Sequence, residues 1–196
     1  MRRMFFMMLL VGASLLGAHN TMAQDNMMGN AMRHNNNPMV GGAAMYRTKD
    51  IVDNAVNSAD HTTLVAAVKA AGLVETLEGK GPFTVFAPVN AAFDALPAGT
   101  VDALLKPENK GQLAHVLTYH VVPGRLTSAD LDRMIKAGNG TATLKTASGG
   151  SLWVMKNGAR NITIKDETGA VADISVYDVL QSNGVIYSVD RVLMPK

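Results

Sequence analysis

From residue 141 onward short apolar runs alternate with turn dipeptides, and this pattern constrains the fold more than any other feature of the chain. Residues 141–146, 152–155, 162–165, 172–180 and 185–193 are rich in Val, Ile, Thr and aromatics. Gly149-Gly150, Asn157-Gly158 and Asn183-Gly184 punctuate them and accept positive φ. Such spacing predicts five strands in a mainly antiparallel sheet. The residues before them carry a helical period instead. Thr48 is placed to cap a helix through Ile51, Val52, Ala55 and Val56, and Thr62 a second through Leu64, Ala67, Val68 and Ala71, which Gly72 stops. The run Phe83-Thr84-Val85-Phe86-Ala87-Pro88 reads as a strand that Pro88 ends. Asn90 is expected to cap a brief helix holding Phe93, and a weak helix covers 101–105. Leu113, Val116, Leu117 and His120 form the buried stripe of a stronger helix, and a last one runs from Ser128 through Leu131 and Ile135. Helices followed by an antiparallel sheet give an α+β layer structure rather than an alternating parallel one.

The amino-terminal segment has a different composition. Arg2 and Arg3 precede an uncharged run from Met4, and Thr21-Met22-Ala23 supplies small residues for a cut after Ala23, so residues 1–23 are expected to be a signal peptide. Its apolar block is shorter than the roughly 20 residues that span a bilayer. The chain is therefore expected to be exported, to the periplasm or outside the cell. With no Cys there is no acylated anchor, disulfide, thiolate metal site or Cys nucleophile. The formal charge of +2 also comes from this end: without Arg2 and Arg3, sixteen basic residues face sixteen acidic ones. No basic footprint remains for nucleic acid.

Ten of the thirteen Met lie at positions 1–45. Residues 24–45, rich in Asn, Gly and Met, are expected to form a flexible linker ahead of one domain over 46–196. The thioethers of Met27, Met28, Met32 and Met39, with His34 among them, suit Cu(I), which makes periplasmic copper binding one alternative for this tract. No nucleophile–base pair, phosphate loop or zinc signature occurs, and no cofactor is expected. His61, beside a helix start, is expected to be solvated, as are the acids Asp166 and Glu167.

Three motifs resemble the landmarks of the fasciclin (FAS1) domain family, in order and at fitting spacing: Gly81-Pro82-Phe83-Thr84-Val85-Phe86-Ala87-Pro88-Val89-Asn90-Ala91-Ala92-Phe93, then Tyr119-His120-Val121-Val122, then Asn183-Gly184-Val185-Ile186-Tyr187-Ser188-Val189-Asp190-Arg191-Val192-Leu193-Met194-Pro195. Val89 departs from the pattern, which usually has Thr or another polar residue there. The resemblance implies a wedge-shaped α+β fold, helices packed on a β-sandwich-like core, in which Phe83, Phe86, Pro88, Asn90, Phe93, His120, Asn183 and Gly184 are structural. It implies noncatalytic adhesion at the cell surface or in the extracellular matrix, with a protein or polysaccharide partner. Its partner-binding positions fall on Tyr119 and His120 and on Asp178 and Val179. The helical period puts His120 in the core and turns Tyr119 outward. Some relatives hold pigments, so a small apolar ligand is the other alternative.

Overall fold

The computed structural model describes residues 37–196. The expected signal peptide and the tract holding Met27, Met28, Met32 and His34 lie outside the described residues. The chain opens with a hairpin of β1 (Met39–Val40) and β2 (Ala43–Ala44), followed by α1 (Ile51–Ala55), α2 (Thr62–Ala71) and α3 (Val74–Glu78). Strand β3 (Phe83–Pro88) leads to α4 (Asn90–Asp94), α5 (Thr100–Leu104), α6 (Lys110–Tyr119), β4 (Val121–Pro123) and α7 (Ser128–Ala137). Then come β5 (Thr141–Lys145), β6 (Ser151–Asn157), β7 (Asn161–Lys165), β8 (Val171–Leu180) and β9 (Gly184–Val189). The five expected carboxy-terminal strands are all present, each within a few residues of its expected bounds.

One seven-stranded sheet runs in the order β4-β3-β9-β8-β7-β6-β5. Its pairs are antiparallel except β3 with β9, which align in parallel from Phe83 opposite Gly184 to Pro88 opposite Val189. These two strands are covered on both faces, which is why they read as continuous apolar runs without alternation. Val85, Ala87 and Ile186 face a first core shared with α1, α2, α3, α4 and α6. Phe86, Val185, Tyr187 and Val189 face a second core, closed by α7 through Leu131 and Ile135. The ten-residue β8 serves both. Two register shifts between Ile174 and Val179 turn it, so that Ile174 lies in the second core and Val179 in the first.

Local chemistry fixes the ends of these elements. Asp50, rather than Thr48, caps α1, its carboxylate accepting from Asp53 N. Gly72, with φ of 72°, ends α2 in the left-handed conformation that glycine adopts without steric cost. Thr127 and Asp130 form a reciprocal capping box on α7. Val89 stands at the N-cap of α4 and provides no side-chain bond.

The hairpin corrects the expected domain boundary. Residues 37–45 belong to the folded unit, because Val40 and Met45 are buried in the first core. The Gly41 carbonyl accepts from Ala59 N at 3.0 Å, and a Cβ at Gly41 would collide with the Ser58 hydroxyl. Gly41, which reads as linker, is therefore a tight approach of two backbones, while Gly42 beside it supplies a positive φ.

Candidate functional site

His120 follows the last residue of α6 and is 2% exposed. Its Nδ1 lies 2.8 Å from the Val116 carbonyl and its Nε2 accepts from Leu193 N–H at 2.9 Å. Only a neutral ring protonated at Nδ1 satisfies both. Burial pulls its pKa down to about 4 against smaller opposing effects of the Val116 carbonyl and Asp166. The imidazole thus joins the end of α6 to the carboxy-terminal segment and presents no edge to a partner.

Tyr119 is corrected from an outward position to a fully buried one. The carboxy-terminal end of α6 packs between both cores, so Leu113, Val116 and Leu117 enter the first while Tyr119 enters the second. Its hydroxyl donates to the Ser151 carbonyl at 2.7 Å and accepts from Glu167 N at 3.0 Å. Burial raises the phenol pKa to about 12. Any side chain at Gly150 would strike the ring, which explains a glycine without a positive φ at this point. Removing the hydroxyl leaves two part-buried backbone groups without a partner. Tyr119→Phe is therefore expected to cost about 1–2 kcal/mol, read as a lowered urea midpoint at unchanged slope.

The Asp178-Val179 pair is equally occupied. Asp178 has φ of 54° at a shift in β8, and its carboxylate accepts from Ser128 N at 2.7 Å and from the Ser128 hydroxyl. Ser128 opens the ten-residue α7, so the charge meets the free N–H groups and positive end of that helix. The Tyr187 hydroxyl lies 2.9 Å from the same carboxylate and 2.8 Å from the Leu126 carbonyl. Burial and the Asp178 charge both push that phenol up. Val179 is 1% exposed in the first core.

The other landmark residues bind distant backbone. Asn183 accepts from Ile51 N at 3.1 Å and donates to Leu77 O at 2.7 Å and Gly79 O at 3.0 Å. A Cβ on Gly184 would collide with the Phe83 carbonyl. Asn90 does not cap its own helix. Its amide accepts from Thr63 N at 3.1 Å and donates to Ala59 O at 2.8 Å, which caps α2 from elsewhere in the chain. Phe86 stacks on Tyr187 with centroids 5.6 Å apart, Pro88 ends β3, and Phe93 is buried in the first core, with Phe83 packed against it.

Two groups expected in solvent are internal. Asp166 is 1% exposed and accepts from Thr168 N, the Thr168 hydroxyl, Ala170 N and Met194 N, at 2.6–3.0 Å. His61 is buried, with Nδ1 at 2.9 Å from the Ser58 hydroxyl and Nε2 at 3.3 Å from the Ser188 hydroxyl. Burial lowers its pKa. Ser58 and His61 border a cavity of about 110 Å³ in the first core, floored by Val85 and Ile186 and walled by Leu64, Val68 and Leu77.

The face of β5–β8 turned away from the second core is open. Cross-strand pairing aligns Thr143, Trp153, Lys165 and Val171 in one row, and Lys165 Nζ lies 5.7 Å from the Trp153 ring centroid. Thr143 and Val171 are exposed, and Trp153 and Lys165 partly so. A second row holds Thr141, Met155, Thr163 and Asp173, but it is closed at Thr163, which is buried, so the open part of the face is the first row. This face leaves no local trace in the sequence, because its members are neighbours only through strand register. Met39 is exposed on β1. Among the described residues no group of three or more His, Asp or Glu is arranged to hold a metal ion, and no helix is long and apolar enough to cross a membrane.

A model of the fasciclin domain matches residues 59–195. Protein sll1483 of Synechocystis sp. is 44% identical over 159 residues, which cover 80% of this chain and 79% of that protein. The cell surface glycolipoprotein MPB83 of Mycobacterium bovis is 36% identical over 165 residues, covering 81% of this chain and 67% of that protein. Among solved structures, the FAS1 domain pair of the insect cell adhesion molecule Fasciclin I superposes with a TM-score of 0.65 at 18% identity. That match covers 74% of this chain and 51% of the other, and it establishes the shared fold.

Proposed function

The chain belongs to the fasciclin domain family, and from that premise we propose that it is a noncatalytic, exported domain mediating adhesion at the cell surface or in the extracellular matrix by binding another macromolecule, protein or polysaccharide. The observation that carries this reading is the open row Thr143–Trp153–Lys165–Val171 on the sheet face. A single Trp flanked by a hydroxyl, an ammonium group and an exposed aliphatic side chain offers stacking, hydrogen bonding and apolar contact on a rigid support. The landmark side chains Tyr119, His120, Asp178 and Asn183 are bonded to the chain's own backbone, which supports a structural role for them and leaves binding to the surface. A cell surface glycolipoprotein among the relatives, and a cell adhesion molecule as the solved structure of the same fold, favour the same reading. One small face binds weakly, and dense display supplies avidity.

Beads carrying many copies of the domain test this against envelope, matrix-polysaccharide and matrix-protein fractions. Trp153→Ala is expected to lower capture at least tenfold, since about 1.4 kcal/mol is lost at each contact and multivalent binding compounds it. The same change should move the melting temperature by only a few degrees, because the ring sits on the outer face. Undiminished capture by the variant would remove the sheet face from the account. Failure of the wild type to capture anything from all three fractions would sink adhesion itself.

A further inference from the structure

We propose that the cavity in the first core is a binding site for a small uncharged molecule of one ring bearing a single hydroxyl or N–H group, of the phenol or pyrrole class, with its polar atom paired to the Ser58 hydroxyl. The inference stands apart from adhesion, since the cavity lies on the helix side of β3 and β9 and the open row lies on β5–β8.

Size sets the first limit. An apolar cavity of roughly 150 Å³ stays dry and takes up benzene. The volume of about 110 Å³ here admits one ring with slight adjustment of the walls, and not an extended pigment. Chemistry sets the second. The lining is mainly apolar, aliphatic side chains with Phe83 and Phe86, and Lys69, the one charged side chain that borders the cavity, is itself exposed. A carboxylate or ammonium group would enter without a counter-charge, which disfavours ionised ligands strongly.

The polar pair sets the third. Ser58 is 2% exposed and lines the cavity, and its hydroxyl has a single side-chain partner, His61 Nδ1. A hydroxyl offers one donor and two acceptor positions. If it donates to the imidazole, its lone pairs accept from a ligand O–H or N–H; if the imidazole donates, its proton is free for a ligand oxygen. His61 is held in turn by Ser188 from β9, so the handle is fixed from two sides. Exposed Lys69 and Thr76 border the cavity on the α2–α3 side, and the hairpin forms a further wall. Val40 and Met45 come from a hairpin with two-residue strands, and a ribbon so short is the wall that opens most easily.

Titration of the purified chain with phenol, toluene and benzoate, followed by calorimetry and by methyl resonances of Val85 and Ile186, decides the matter. Phenol is expected to bind saturably and shift those methyls, toluene to bind about tenfold more weakly, and benzoate not at all. Ser58→Ala should bring phenol down to the level of toluene, and Val68→Phe, which fills the space, should abolish both. Absence of saturable shifts with both phenol and toluene in the wild type would overturn the site, whatever the variants do. A phenol preference that survives Ser58→Ala would overturn the polar pairing, and tight benzoate binding would overturn the uncharged class.

Discussion

Between pH 6.5 and pH 4 the folded domain is expected to lose about 3 kcal/mol of stability through His120 alone. In the unfolded chain this imidazole titrates at its ordinary 6.5, and in the fold at about 4, because burial disfavours the charged ring. Between those values the unfolded chain binds a proton that the folded chain does not, so stability falls as the pH falls. The contribution is complete above 6.5, about 1.4 kcal/mol of it is gone at pH 5.5, and it has vanished below 4. His61, also lowered by burial, acts in the same direction. Asp130 and Glu167 are held below their ordinary 3.8 and 4.5 by hydrogen bonds, chiefly from Thr127 and from Ser151 N. Their contributions begin to fade only near and below those ordinary values, where the histidines have nearly finished. Urea unfolding at pH 7, 5.5 and 4.5 separates the windows. His120→Gln should be less stable at pH 7 and should show a shallower slope above pH 4.5. A wild type whose stability is level from pH 7 to 4.5 would mean that His120 titrates in place, against the hydrogen-bond geometry.

Asn183→Ala is expected to cost about 3–4 kcal/mol, lowering the melting temperature by roughly 10 °C. The side chain is 7% exposed and makes three bonds, to Ile51 N, Leu77 O and Gly79 O. Those partners belong to α1 and to the end of α3, so one amide holds two helices against the start of β9. Truncation strands three backbone groups and opens a small hole besides. Asn183→Asp is the informative companion. It keeps an acceptor for Ile51 N but loses both donors, so it should fall at least as far as alanine, because a carboxylate would face two carbonyl oxygens. A loss under about 1 kcal/mol for the alanine variant would show that these helices are held by apolar packing instead.

The sequence made the strands legible because period-two alternation and turn dipeptides are local signals. Ala142 and Leu144 alternate with Thr141, Thr143 and Lys145, and β5 exposes and buries them accordingly. The parallel pairing of β3 with β9 leaves no such trace, since its partners stand about a hundred positions apart. Separation along the chain also hid the site chemistry. Asn90 looks like a cap for the helix that follows it and instead caps α2. His61 has a polar sequence neighbourhood, yet β9 delivers Ser188 to its ring. Tyr119 follows the outward side of a helical stripe, but a helix end wedged between two cores has no outward side. The hairpin carries only two-residue strands, too short for any period to register.

The division between landmark residues that build the fold and an open sheet face that meets the partner is tested most directly by comparing two variants in one bead-capture titration. Asp178→Asn weakens the charge at the start of α7 and should melt earlier, while capturing as well as the wild type at a temperature where it is folded. Trp153→Ala should melt near the wild type and capture at least about tenfold less. The opposite outcome, with capture lost in folded Asp178→Asn and kept in Trp153→Ala, would contradict this division and return recognition to the Asp178-Val179 pair.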